Sequence, residues 1–445
     1  MTVQLEPDPK RGQPITRRVL HIATVPFRPE EGVSRAVTAL AGAMTRRAQA
    51  GAVHSSADAE PVSVTANAAA ETITFEHHLV ADRPVGREFV GHHELADWKP
   101  GHVLVSRELR SVVASVQPDI VHIHGGILAA SLALAPALRR IPTVATIYQM
   151  LPVPRHELGL REFHDARRSS VRPARIVASA LVGKPLVRRL LRSGTLAGVC
   201  TPDPRVWDAL SSFGSVTMSR GGAEISDRRA IWSDQPVIGF AGRAEPGRGV
   251  EELVAAVAML RETNPAVRLR LMLLPGPAAS LWQETFGRES HIEVTVGIKA
   301  DLSAELAACQ VVALPFRIPA TITPPLVASE AMAVGTPVVA NRLSCITPLI
   351  VDGENGKLAR NSSPAALAEA IGFVLKNETT WAKLSAGAHR SIRCDWSWDG
   401  AAHATRAAYE KVVVRGDLAA PRGPSGSVTR SFEVPRPTVV VEVRR

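Results

Sequence analysis

Short apolar runs alternate along this chain with stretches whose apolar positions recur at helical spacing, and the rhythm plays through twice. Val19-Leu20-His21-Ile22-Ala23 reads as a first strand; a loop with Pro26, Pro29 and Gly32 follows. Ala36, Val37, Leu40, Ala41 and Met44 then recur at the spacing of one helix face. A second unit has a helix near Glu108–Ser115, the strand Ile120–Ile123, a Gly125-Gly126 turn, an Ala/Leu helix and the strand Thr143–Thr146. Residues 50–100 alternate too weakly to place. A boundary around Gly214–Gln235, marked by Gly221-Gly222 and Ser233-Asp234, precedes the restart.

In the second half Val237–Ala241, Val267–Leu274, His291–Val296, Val311–Leu314 and Pro337–Ala340 read as strands. Between them lie helices marked by Val250, Leu253, Val254, Val257 and Leu260, by Asp301 as a cap, by Leu326–Val334 ending at Gly335, and by Ser363-Pro364. Strands that are apolar along most of their length belong to a parallel sheet covered on both faces. The expected class is α/β, with two doubly wound domains. The expected boundaries are a disordered N-terminus over 1–17, a first domain over 18–220, a second over 235–395, a C-terminal helix over 396–415 packing back on the first, and a flexible Pro/Gly/Ser/Arg-rich tail over 416–445.

Composition narrows the function. With 445 residues, 45% hydrophobic, the chain can bury two cores, and with aromatics at only 4% those cores are Ala, Val and Leu. The 52 Lys and Arg against 42 Asp and Glu favour an anionic partner such as phosphate or an acidic membrane face. The absence of a recognisable nucleic-acid module and the scarcity of stacking aromatics argue against nucleic acid. Cys200, Cys309, Cys345 and Cys394 have no disulfide-framework or zinc-ligand spacing, and the polar first twenty residues hold no secretory apolar core. Both point to a reducing, cytoplasmic setting. Arginines crowd between Arg161 and Arg192. Leu186, Val187, Leu190 and Leu191 make a short helix opened by Pro185 basic and amphipathic; it is either an ordinary surface helix or a face for anionic headgroups at the inner side of a membrane. His77-His78 and His92-His93-Glu94 do not have metal-ligand spacing, because neighbours on an extended segment point opposite ways, so no metal is expected.

The segment Thr323-Pro324-Pro325-Leu326-Val327-Ala328-Ser329-Glu330, continuing to Gly335-Thr336-Pro337-Val338-Val339, carries the strongest chemical signal. It starts a helix beyond the carboxyl end of a parallel strand, where free amides and a positive dipole suit a diphosphate. Glu330, about one turn in, can accept from a ribose diol; an isolated glutamate there would more often be a solvated helix-face residue.

This segment resembles the donor-site signature of retaining GT-B glycosyltransferases of family 4. The resemblance extends to Val237–Arg243, Gly247-Arg248-Gly249-Val250 and Val351-Asp352-Gly353-Glu354-Asn355-Gly356. It implies two Rossmann-like domains facing across a cleft, with a nucleotide-diphospho-sugar bound by the second and a hydroxyl acceptor by the first. By position, Glu330 resembles the ribose-binding glutamate and Arg243 and Arg248 the basic pair on the diphosphate. Leu326, Val327 and Thr323 join the donor site, with Gly32 where a Gly-Gly loop usually lies. Pro118-Asp119-Ile120-Val121-His122-Ile123-His124 resembles a second stretch of the family, which would put His124 at the cleft; the alternative is a buried histidine satisfied locally. The family needs no cofactor or obligatory metal. Two positions depart from it: Ile322 stands where a first signature glutamate belongs, and Tyr148 near where a later histidine belongs. The implied function is a retaining glycosyltransferase, of the kind that builds glycans and glycolipids in high-GC bacteria. The alternative is a non-catalytic relative that binds a nucleotide sugar or a partner enzyme.

Overall fold

The computed structural model describes residues 15–24, 32–54, 73–81, 89–94, 107–149, 177–213, 215–297, 301–318 and 322–419. Residues 1–14 of the N-terminal segment expected over 1–17, the arginines from Arg161 to Arg175 and the tail from 420 onward lie outside them.

The first domain runs β1 (Ile15–Ala23), α1 (Gly32–His54), β2 (Ile73–Ala81), β3 (Gly91–Glu94), α2 (Arg107–Val116), β4 (Ile120–Gly125), β5 (Thr143–Ile147), α3 (Lys184–Arg192), β6 (Gly198–Thr201), α4 (Pro204–Leu210) and β7 (Val216–Met218). Its strands are all parallel in the order β3-β2-β1-β4-β5-β6-β7. β4 and β5 are buried along their whole length, as the apolar runs required. α1 buries Ala36, Val37, Leu40, Ala41 and Met44, the face read from the sequence.

Three details differ from the sequence reading. β1 begins at Ile15 rather than near Arg18, because Ile15–Arg17 pair in register with Ile73–Phe75. The Ala/Leu helix after Gly126 is instead two 3₁₀ stretches, Ile127–Leu134 and Pro136–Leu138. Their bonds skip three residues (Ala129 to Gly126, Ala135 to Leu132), and Pro136 lacks the amide an α-helix would use. Finally, α3 spends part of its basic charge internally. Val187 and Leu190 are buried, and the guanidinium groups of Arg188 and Arg192 lie 5.6 and 5.0 Å from the centre of the Phe213 ring.

The second domain runs β8 (Val237–Gly242), α5 (Val250–Thr263), β9 (Arg268–Leu273), α6 (Pro277–Phe286), β10 (Ile292–Val296), α7 (Leu302–Ala307), β11 (Val311–Leu314), α8 (Leu326–Ala333), β12 (Val338–Asn341), β13 (Gly356–Ala359), α9 (Pro364–Val374) and α10 (Glu378–Asp395). The parallel order is β10-β9-β8-β11-β12-β13, the same winding as the first six strands of the first sheet. Capping follows the sequence: Ala304 N–H donates to Asp301 Oδ1 at 2.9 Å and Ala366 N–H to Ser363 Oγ at 3.2 Å.

The last helix, α11 (Trp398–Ala419), returns to the first domain and packs on α1, continuing beyond the expected end at Arg415. One apolar cluster seals the domain junction. It joins Val19, Leu40, Tyr148 and Cys200 of the first domain to Leu326 of α8 and to Trp398, Tyr409 and Val412 of α11. Burying each large side chain there contributes about 1.5–3 kcal/mol, so the halves are held by a true core.

Candidate functional site

In each sheet the order reverses between two neighbouring strands, β1 and β4 in the first domain and β8 and β11 in the second. Connections leave those strands toward opposite faces, and the crevice at their carboxyl ends is where doubly wound sheets take ligands.

At the second crevice Arg243 is the first residue after β8. The loop to α5 is tightly folded. Arg248 N–H donates to Glu245 O at 3.0 Å, Gly247 and Gly249 adopt φ of +85° and +72°, and a Cβ on Gly249 would run into the Pro315 carbonyl. Arg317, just past β11, donates its backbone N–H to Gly247 O at 2.8 Å, and its side chain forms a buried ion pair with Glu252 of α5. The loops after β8 and β11 are thereby joined. The Arg248 guanidinium lies 4.7 Å from the centre of the Phe316 ring, while Asn341 Nδ2 holds the Phe316 carbonyl at 2.8 Å. Arg243 and Arg248 are both half-buried on this frame. An open cavity beside the first turn of α5 is lined by Glu251, Glu252, Asn361 and Ser363; its two carboxylates suit it poorly to a diphosphate.

α8 enters the crevice from Pro325, and no side chain caps its first turn, so the amides of Leu326 and Val327 have no intrahelical acceptor. Leu326 is 7% exposed and its side chain belongs to the junction core. Thr323 is buried: its N–H donates to Tyr148 O at 2.9 Å, and its hydroxyl lies 3.5 Å from Asp203 Oδ2. Asp203 also caps α4 and grips Arg205, which reaches Ser344 Oγ at 2.7 Å. These contacts tie the two domains together across the crevice.

Glu330 meets a group the sequence reading did not anticipate. Arg35 of α1 forms an ion pair with its Oε1, while Oε2 is buried with no hydrogen-bond partner among the described residues. Burial lowers the Arg35 pKa, the direction expected for a cation withdrawn from water. Ile322 faces Gly32, where a Cβ would lie 3.3 Å from Ile322 Cδ1. The position where the signature has a carboxylate is therefore apolar and packed against the start of α1. Glu330, Leu326, Val327, Thr323 and Gly32 come together here, and Arg243 and Arg248 stand on the strand ends of the same crevice.

His124 sits elsewhere than expected. It has no accessible surface, so it is not on a cleft wall; β4 runs between β1 and β5 and carries the ring into the core. His21 Nδ1 lies 2.9 Å from His124 Nε2, His21 Nε2 lies 2.9 Å from His77 Nδ1, and His124 Nδ1 lies 3.1 Å from Tyr148 Oη. His122 has separate partners, Thr146 Oγ1 at 2.6 Å and the Tyr409 hydroxyl of α11. Burial drives all four imidazoles toward the neutral form, His77 to about 4 and His124 to about 3, with neighbouring histidines adding to the effect.

Burial also pushes Cys200 up to about 12 and Tyr148 higher still. The sequence signal for this cluster was the His-x-His spacing on one strand. What it lacked was the register that sets His21 opposite His122.

Residues 235–377 match the family model Glycosyl transferases group 1. A D-inositol 3-phosphate glycosyltransferase of Stackebrandtia nassauensis is 36% identical over 191 residues, a stretch covering 40% of this chain and 42% of the relative. The one from Corynebacterium efficiens is 27% identical over 331 residues, covering 70% of this chain and 76% of the relative. Among solved structures, sucrose-phosphate synthase of Thermosynechococcus elongatus superposes with TM-score 0.64 at 15% identity, over 90% of this chain and 100% of that one. Anabaena HepE, in complex with UDP and glucose, superposes with TM-score 0.60 at 16% identity, over 88% and 99%. The fold is GT-B. No helix among the described residues is long and apolar enough to cross a membrane.

Proposed function

We propose that this chain, which has a GT-B fold and whose residues 235–377 match the glycosyl transferases group 1 model, moves a sugar from a nucleotide-diphospho-sugar to a hydroxyl acceptor. The observation that carries the reading is the placement of Arg243, Arg248, the α8 amides and Glu330 around one switch-point crevice. Glu330 takes the ribose hydroxyls, its Oε2, unpartnered among the described residues, being an acceptor in need of a donor. The arginines and the helix amides take the diphosphate and stabilise the charge that builds on it as the sugar leaves. The reaction is metal-independent, because these cations do the work a divalent ion would do, and it retains configuration at the sugar. It needs no cofactor beyond the donor itself. The acceptor enters from the first domain, and α3 with its exposed Arg189 offers a contact for an anionic membrane face.

A second reading has a specific observation behind it. Ile322 packs against Gly32 where a sugar-binding carboxylate belongs, and Arg35 already occupies Glu330. The missing carboxylate favours a protein that binds the nucleotide sugar without transferring it, whereas the Arg35 pair competes with binding itself. Incubating the full chain with a panel of UDP- and GDP-sugars, with calorimetry for binding and mass spectrometry for turnover, decides between them. Transfer or donor hydrolysis lost on Arg243→Ala supports the enzyme; binding with no turnover across the panel supports the scaffold; no binding at all overturns both.

A further inference from the structure

His77, His21, His124 and Tyr148 form one unbranched row of hydrogen bonds running from β2 through β1 and β4 to the end of β5. A neutral imidazole has one N–H and one lone pair, so each ring passes the direction of its neighbour's bond on to the next. The row therefore has only two states. In one, Tyr148 O–H donates to His124 Nδ1, His124 Nε2–H to His21 Nδ1, and His21 Nε2–H to His77 Nδ1. In the other every bond points back, and the Tyr148 hydroxyl, which among the described residues has no hydrogen-bond partner besides His124, keeps a buried proton with no acceptor there. An orphaned buried donor is the costlier outcome.

We infer that the row is locked in the first direction, with all three histidines protonated at Nε2, and that His21 and His77 thereby position the Tyr148 oxygen as an acceptor-only group at the domain junction. Tyr148 stands at that junction: its carbonyl holds Thr323 N–H, next to Ile322 and the start of α8. With its proton committed to His124, the phenol oxygen turns only lone pairs toward the junction core beside Thr323 and the start of α8. The role for that oxygen in transfer rests on the proposed function; the direction of the row does not.

A metal ion is the competing use of the cluster, since nitrogens of His21, His122 and His124 lie within 4.8 Å of one another. Coordination needs converging lone pairs. Between His21 and His124 there is one lone pair and one proton, and both nitrogens of His122 already have hydroxyl partners.

Long-range 1H–15N correlation on the full chain labelled with 15N-histidine reads the tautomers directly. His21, His77 and His124 should each be protonated at Nε2 and bare at Nδ1 at neutral pH. His77→Leu removes the terminal acceptor and should shift His21 and His124 toward Nδ1–H, whereas His77→Asn, whose amide oxygen replaces Nδ1, should leave them unchanged. Where transfer is measurable, His77→Leu should lower kcat several-fold with the donor KM unchanged, and His77→Asn should restore it. Protonation at Nδ1 in the unsubstituted row, an unmoved His21 and His124 in His77→Leu, equal kcat losses in both variants, or one equivalent of zinc bound to the purified chain would each overturn the inference. If no sugar is transferred at all, the proposed function fails while the tautomer spectrum still decides the row.

Discussion

At the switch point of the second sheet, half-buried arginines and uncapped helix amides surround a carboxylate with one oxygen unpartnered among the described residues. At the matching point of the first sheet stand His21, His122 and His124, none with any accessible surface and each bonded on both ring nitrogens. The same winding thus carries two kinds of polar group. The second crevice is incomplete, because among the described residues Glu330 Oε2 has no hydrogen-bond partner and no side chain caps the first turn of α8. The first is complete within the protein, because neutral rings satisfy one another and need nothing from outside. An incomplete site binds; a complete one holds geometry.

The contrast breaks most visibly if the arginines are removed. Arg243→Ala or Arg248→Ala should lower turnover roughly a hundredfold or more, on the scale of other charge contacts made in a transition state. Steady-state kinetics on the folded variants check this, and full activity in both would empty the second crevice of its role.

Acidification should expose the other side. Neutral burial lowers the histidine pKa values in the folded state below the ordinary 6.5. Above pH 6.5 the rings are neutral whether folded or not, so they leave stability unchanged there. As pH falls below 6.5 the unfolded chain takes up protons that the folded chain refuses, and stability drops until the folded values, about 4 for His77 and about 3 for His124, are passed. At pH 5 the loss is on the order of 2 kcal/mol for each buried ring. Calorimetric Tm should fall steadily from pH 6.5 to 5; a flat profile would mean that the rings are charged or exposed.

Glu330→Gln keeps the shape but loses the charge-assisted acceptor, and should weaken nucleotide binding about tenfold by calorimetry. Tyr409→Phe leaves His122 Nδ1 without its partner and should cost about 1–2 kcal/mol in urea unfolding, with nucleotide affinity untouched. The smallest effect belongs to Arg35. Its pair with Glu330 is partly solvated and must open for a ribose to bind, so Arg35→Ala should tighten nucleotide binding by a few-fold, a free-energy change of about 1 kcal/mol. Weaker binding in that variant would make Arg35 a donor ligand instead and extend the cationic crevice into the first domain.

Much of this was legible in the chain. The strands Val311–Leu314, Thr143–Thr146 and Val237–Ala241 are apolar because both their faces are covered, and they appear within a residue of where the pattern put them. Caps at Asp301 and Ser363 follow from the side-chain acceptors those residues carry. β2 and β3 were missed. Their residues include Glu76, His77, His78, His92 and His93, and polar side chains hide a strand whose partners supply the hydrogen bonds. The Ala/Leu run after Gly126 misled for the opposite reason: its composition favours a helix, but Pro136 and the packing over β4 and β5 select 3₁₀ turns.

The sequence by itself determined two doubly wound halves and the second crevice, since a strand, a glycine-rich loop, two arginines and a helix start lie close together in order and their chemistry is local. Only the tertiary structure decided what opposes Glu330 and where His124 points. Arg35 is 295 positions from Glu330, and His21 is 103 from His124. Contacts that distant depend on the register of β1 against β4 and on the meeting of α1 with α8, which no local pattern of residues encodes.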